Sequence, residues 1–421
     1  MTLKKNRRLA AAALCAALVS CAAQDGSAAK HHRPRHPGEN ENGGQTGMSA
    51  LVKANNDFAL KLFRNLPGGN LACSPYGVSE AFAMAYAGAQ GKTAQELASA
   101  FGFPGHETLH KSYAALRGQL DKTSVGGNLT LQIADSLWPQ KNYRLVPAYV
   151  NALKKYYGAA PTPVDYVAQT EQARKTINDW ADEHTAGRIK DLLPPGTLNS
   201  ATRLTLVNAV YFKGLWQAQF KKELTQDAPF TVAGGQTLNV PTMYQKQKLR
   251  YAQDELAQVL ELPYKGGEAS LLVALPEKGK TLGELEKAMN SELLGQWQAA
   301  LKSREVNVYL PKFKAATFID LIDALKPLGL NAPFGPSADF SAISAEGGLF
   351  ISKALQKAFV EVNEEGTEAA ATTAITFSKT AMIGDANRPV YFRADHPFLY
   401  ILRHNPTGAI LFMGRVDDPS K

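Results

Sequence analysis

The chain has 421 residues, 45% hydrophobic and 20% charged, which is enough apolar content for a large packed core. Half of its formal charge of +8 comes from Lys4, Lys5, Arg7 and Arg8 in a leader-like segment, so the remainder is close to balanced. That balance argues against nucleic acid as a partner.

Lys4 to Arg8 form a positively charged start, and Leu9 to Val19 an apolar run too short to cross a bilayer as a mature helix. Residues 1–20 therefore read as a signal peptide that is no part of the fold. Leu18-Val19-Ser20-Cys21 resembles the bacterial lipobox, whose cysteine thiol is acylated and becomes the new N-terminus. The resemblance implies an exported protein of the bacterial cell envelope or exterior, anchored to a membrane by acyl chains on Cys21. Cys15 leaves with the signal, so Cys73 is left without a disulfide partner. Residues 21–47, rich in Gly, Asn and Pro and without hydrophobic periodicity, read as a flexible tether. Its His31, His32 and His36 have no fold to fix their geometry, and no metal site is expected.

No second linker interrupts residues 48–421, which read as a single domain. Leu51, Ala54, Phe58 and Leu62 make a helical stripe. Ser74 is placed to cap a helix with Pro75 in its first turn, and Tyr76 to Ala87 is apolar or small on every side, the pattern of a central buried helix. Thr93 and Glu96 have capping-box spacing, and Ile177, Trp180, Ala181 and His184 stripe another helix ending at Gly187. Strand-like runs cover Arg203–Phe212, Ala257–Pro263, Ser270–Leu275 and Val306–Leu310, with helical stretches at Leu282–Leu301 and Phe318–Leu325 between or after them. Near the end, Phe398–Leu402 and Ala409–Met413 flank Asn405-Pro406-Thr407-Gly408, residues suited to a type I turn between buried strands. The class is α+β.

Chemistry of the enzymatic kind is missing from the sequence. There is no Gly-x-Ser-x-Gly elbow, no His-Glu-x-x-His and no Cys-x-x-Cys, and His184, His396 and His404 are scattered and read as structural. The chain is expected to be no enzyme and to use no cofactor. Its unusual segment is Glu361 to Ala381: Glu361, Glu364, Glu365 and Glu368 crowd the start, and Ala369 to Ser378 carry no charge. Read with period two, Thr367, Ala369, Ala371, Thr373, Ile375 and Phe377 share one face. That is a strand pattern with a small-residue face ready for burial, and on pattern alone it is better read as an ordinary strand or an Ala-rich helical turn than as a special segment.

Glu364-Glu365-Gly366-Thr367-Glu368-Ala369-Ala370-Ala371-Thr372 resembles the proximal hinge of inhibitory serpins. Asn208-Ala209-Val210-Tyr211-Phe212-Lys213-Gly214-Leu215-Trp216 is similar to that family's central strand and breach tryptophan, and Asp395-His396-Pro397-Phe398 with Asn405 to Val416 to its C-terminal signature. Ser74-Pro75, Glu261-Leu262-Pro263-Tyr264, Leu310-Pro311-Lys312-Phe313 and Ala338-Asp339-Phe340-Ser341 follow in the family's order. The resemblance, over about residues 49–418, implies the serpin fold, with three β-sheets, eight or nine helices and an exposed reactive-centre loop between roughly Gly366 and Arg388. It implies a monomeric suicide substrate for serine proteases, which form a covalent complex with it.

Counting from Glu364 as seventeenth before the cut places the reactive bond at Thr380–Ala381, small neutral residues suited to elastase-like or subtilisin-like enzymes. A slip of one residue offers Lys379 to a trypsin-like enzyme instead. The breach and shutter positions are Trp216, Ser74, Asn208 and Gln356, where Gln356 and Gly77 replace the family's usual histidine and second serine. A glutamine amide both donates and accepts, so the network is expected to persist in altered form. The rival reading is a non-inhibitory serpin, a binding or carrier protein that is cut without trapping.

Overall fold

Nine α-helices and two hydrogen-bonded sheets make up the described part of the chain, residues 39–124, 128–367 and 390–421 of a computed structural model. The helices are α1 (Glu39–Phe63), α2 (Pro75–Tyr86), α3 (Gly91–Phe101), α4 (His106–Thr123), α5 (Pro147–Tyr157), α6 (Thr170–His184), α7 (Leu282–Ala288), α8 (Ser291–Ala300) and α9 (Leu321–Leu325). Strands are β1 (Leu71–Cys73), β2 (Leu129–Pro139), β3 (Leu204–Leu215), β4 (Gln226–Thr231), β5 (Thr237–Gln253), β6 (Ala257–Pro263) and β7 (Ala269–Pro276). They continue as β8 (Lys302–Pro311), β9 (Phe313–Asp320), β10 (Ile351–Val362), β11 (Gly366–Thr367), β12 (Val390–Arg393), β13 (Phe398–His404) and β14 (Ile410–Val416).

The central sheet has the order β2-β3-β11-β10-β9. The other runs β1-β14-β13-β7-β6-β5-β8-β12, with β4 added to β5. Two of the three expected sheets are thus joined in hydrogen bonding, because the 17-residue β5 pairs β4 through Thr237–Thr242, β8 through Thr242–Tyr251 and β6 through Arg250–Gln253. Every residue of α2 is buried, and the helix packs against β2, β3 and β14. Phe82, Met84 and Val78 are fully enclosed, each burial contributing roughly 1.5–3 kcal/mol. Ser74 caps α2, its hydroxyl accepting from the Gly77 N–H.

Five local expectations need correction. Helical structure begins at Glu39, inside the stretch expected to be tether, continuous with the turns nucleated by the Leu51–Leu62 stripe. Thr93 and Glu96 form no capping box: α3 starts after Gln90, the Thr93 hydroxyl accepts from the Asp339 N–H, and Glu96 accepts from those of Asn331 and Ala332. The capping box that does form is Thr281 with Glu284. Phe318–Asp320 is strand, since Phe313, Ala315 and Ile319 alternate inward along β9 as it pairs β10. The helical stretch from Leu282 breaks at Met289-Asn290, where Asn290 caps α8. The turn at Asn405–Gly408 closes over five residues, the Gly408 N–H donating to the His404 carbonyl, with Gly408 at φ 75°.

Candidate functional site

The site is a seam in the central sheet. β3 and β10 lie side by side and parallel, from Leu204 beside Ile351 to Tyr211 beside Phe359. At the end of the seam β11 sits between them, Gly366 and Thr367 antiparallel to Leu215 and Gly214 of β3, and Thr367 antiparallel to Val362 of β10. A chain continuing past Thr367 in that direction would run antiparallel to both neighbours. It would exchange one parallel ladder for two antiparallel ones, the better-bonded kind.

The hinge that feeds the seam is held at many points. The Trp216 indole N–H donates to the Asn363 carbonyl (2.9 Å), and the Trp216 backbone N–H to the Glu365 carbonyl (3.0 Å). The Phe220 N–H donates to the Glu364 carbonyl (2.8 Å). Lys312 Nζ lies 3.1 Å from the buried Glu364 carboxylate, which also accepts from the Thr225 hydroxyl, and Lys222 Nζ lies 2.6 Å from that of Glu365. Burial works against charge on Glu364, but the hydrogen bonds of its own backbone, Lys312 and Thr225 outweigh it and keep the carboxyl below its ordinary range. Gly366 is required by space: a Cβ there would stand 1.9 Å from the Gly214 carbonyl oxygen. Thr367 is buried, its hydroxyl 2.6 Å from that of Tyr264, which stacks on Trp216 at 4.6 Å.

Halfway down the seam lies the shutter. The Ser74 N–H donates to Gln356 Oε1 (3.0 Å), and Gln356 Nε2 donates to the Ser74 carbonyl (2.9 Å) and to Asn208 Oδ1. The Ser74 hydroxyl donates to the Leu411 carbonyl (2.7 Å). Gln356 thus ties β10 to Ser74 and Asn208 by using both ends of its amide. Glycine at 77 is matched to its neighbour, since a Cβ there would sit 2.3 Å from the Asn208 amide nitrogen. Gly77→Ala is therefore expected to cost about 1–3 kcal/mol by pushing Asn208 from its bonds, read as a lowered denaturation midpoint.

The structure brings together Glu364, Glu365, Gly366, Thr367 and Trp216 at the breach, and Ser74, Asn208 and Gln356 at the shutter. Glu368 to Thr372, the bond Thr380–Ala381, Lys379 and Cys21 lie outside the described residues. Sequence reasoning missed Lys222 and Thr225, which hold the hinge from outside any motif, and quoted Tyr264 and Lys312 within family-like strings without reading their role at the hinge. His396 bonds Asp395 and the Pro276 carbonyl, and His404 bonds Thr407, structural ties both. Burial raises the Cys73 thiol far above its usual pKa, which leaves it unreactive.

A family profile described as Serpin (serine protease inhibitor) matches residues 53–419. Leukocyte elastase inhibitor A of Rattus norvegicus is 42% identical over 385 residues, covering 88% of this chain and all of that protein. The leukocyte elastase inhibitor of Homo sapiens is 40% identical with the same coverage. Among solved structures, uncleaved ovalbumin superposes with a TM-score of 0.77 at 31% identity, covering 88% of this chain and 100% of that one. Native tengpin, a thermophilic serpin, superposes with a TM-score of 0.80 at 26% identity, covering 87% and 94%. A hinge lodged at the mouth of a parallel seam, above an amide-locked shutter, and matches of this extent lead to one conclusion: the chain belongs to the serpin family of serine protease inhibitors.

Proposed function

We propose that this serpin traps elastase-like or subtilisin-like serine proteases, which cut it at Thr380–Ala381. The observation that carries the reading is β11 seated antiparallel to both β3 and β10, with the seam beyond it closed only by a parallel ladder. The protease serine attacks the loop, and an acyl-enzyme forms with the N-terminal half of the loop still joined to β11. Freed by the cut, that half enters the seam as a new strand, the addition for which serpin loops are the known example. About a dozen new ladder bonds at roughly 0.5–1.5 kcal/mol each supply on the order of 10 kcal/mol to drag and distort the acyl-enzyme before water releases it. The small side chains of Ala369, Ala371 and Thr373 suit fast entry. The names of the leukocyte elastase inhibitors support the target class.

Incubation with elastase, subtilisin and trypsin, followed by denaturing gels and mass spectrometry of the bond, tests the reading. A covalent band with elastase or subtilisin, cut after Thr380, is expected. A band with trypsin alone, cut after Lys379, favours the second reading, for which the neighbouring lysine is the motive. Cleavage by all three with no covalent band overturns trapping in favour of a binding or carrier role.

We further propose that the chain is exported and held to a membrane of the cell envelope through acylated Cys21, a reading that rests on residues 4–21. Metabolic labelling with a fatty acid tests it. Label retained in Cys21→Ala would overturn the assignment.

A further inference from the structure

Beside the outer strand of the central sheet, α2, α4 and β2, with Tyr157 of α5 and Trp180 and His184 of α6, border a cavity of about 350 Å³. That volume is in the range of small-ligand sites, and it far exceeds the roughly 10–15 Å³ that one bridging water needs. The floor of the cavity is short of donors. Tyr76, Glu80 and Asp135 are 1%, 0% and 7% exposed, and the Tyr76 hydroxyl, Glu80 Oε2 and Asp135 Oδ2 have no hydrogen-bond partner among the described residues. Gln132 Oε1, from the same lining, is buried and unpartnered as well. With the acids ionised, three of these four oxygens can only accept. The other oxygen of each acid is already used: Asp135 Oδ1 accepts from Asn208 at 2.6 Å, and Glu80 Oε1 from Arg117 at 3.0 Å.

Charge and the rim point the same way. Glu80, Asp121 and Asp135 on the lining face a single arginine, Arg117, which is committed to Glu80, so three negative charges meet one positive. On the exposed rim, His184 spends its Nδ1 hydrogen on the Trp180 carbonyl at 2.8 Å, which leaves Nε2 of the neutral ring as one more acceptor beside the Asp121 carboxylate. Trp180, Leu131 and Ile133 give apolar wall between. Buried acceptors without donors are rare in folded chains and costly to leave so, and they call for an occupant rich in donors and positive charge. An ammonium group has three donors and no acceptor, one for each of the acceptor-only oxygens on the floor.

We propose that this cavity binds an aliphatic diamine, one ammonium directed to Glu80, Gln132 and Asp135 on the floor and the other to Asp121 and His184 on the rim. The two positive charges balance the two unmatched negative ones, and the hydrocarbon stem lies along the apolar wall. A neutral diol of the same length leaves the acids unbalanced, and a dicarboxylate is repelled. The site does not depend on the trapping reading.

The test is calorimetric titration of the purified full chain with putrescine (1,4-diaminobutane) at about 0.15 M salt, beside 1,4-butanediol and succinate as its neutral and anionic counterparts. One putrescine per chain with a Kd below about 1 mM is expected, with the diol at least about tenfold weaker and no binding of succinate. Asp135→Asn, whose amide oxygen can still accept from Asn208, is expected to weaken putrescine at least about tenfold, and Asp121→Asn at least about threefold. No heat with putrescine at about 10 mM, or a diol that binds as tightly, assigns the cavity to water and overturns the proposal. Full putrescine affinity in both variants overturns it too, because the amine then binds elsewhere. If Asp135→Asn does not fold, Asp121→Asn on the exposed rim decides alone.

Discussion

Thr367→Arg is expected to turn the inhibitor into a substrate. Thr367 is 1% exposed, wedged at the mouth of the seam, and its hydroxyl meets that of Tyr264. An arginine there must either be buried without a partner or keep the hinge out of the sheet. The penalty for an unpaired buried charge is several kcal/mol after relaxation, and even about 3 kcal/mol on the first step of entry slows it on the order of a hundredfold. Deacylation then wins the race, and the protease walks away from a cleaved chain. The measurement is the number of inhibitor molecules consumed per protease inactivated, expected to rise at least about tenfold. Thr367→Ala, which gives up one hydrogen bond worth about 1 kcal/mol and no room, is the control and should still trap. An arginine variant with wild-type stoichiometry would contradict the insertion mechanism.

Thr380→Arg is the second large expected effect, and it probes the loop rather than the sheet. A shallow apolar specificity pocket accepts threonine and excludes a guanidinium, while a pocket with an acidic floor does the reverse. The association rate constant for elastase should fall, and that for trypsin rise, each on the order of 10²–10⁴-fold, with the covalent band retained because every residue that enters the sheet is unchanged. Unaltered elastase inhibition in this variant would move the reactive bond away from Thr380.

Much of the fold was legible because its signals are local. β6 occupies Ala257–Pro263, as its branched and apolar run between turn formers suggests, and the Ser74-Pro75 start of α2 follows from capping chemistry that three residues complete. The hinge was legible only through resemblance, since small residues in alternation fit several structures. β2 and the full reach of β5 were not legible, because their limits are set by partners far along the chain, and of the helical stretch from Leu282 only the break at Met289-Asn290 was not. Glu96 shows why motif spacing misleads: its carboxylate is claimed by the Asn331 and Ala332 N–H groups, more than two hundred residues away.

The account depends on the intact chain being stored above its most stable arrangement. Thermal unfolding of the chain before and after a nick in the loop, made by a protease that it does not trap, tests this most directly. Insertion worth on the order of 10 kcal/mol should raise the unfolding midpoint by roughly 10–30 °C. A nicked chain that melts at or below the temperature of the intact one would contradict the account.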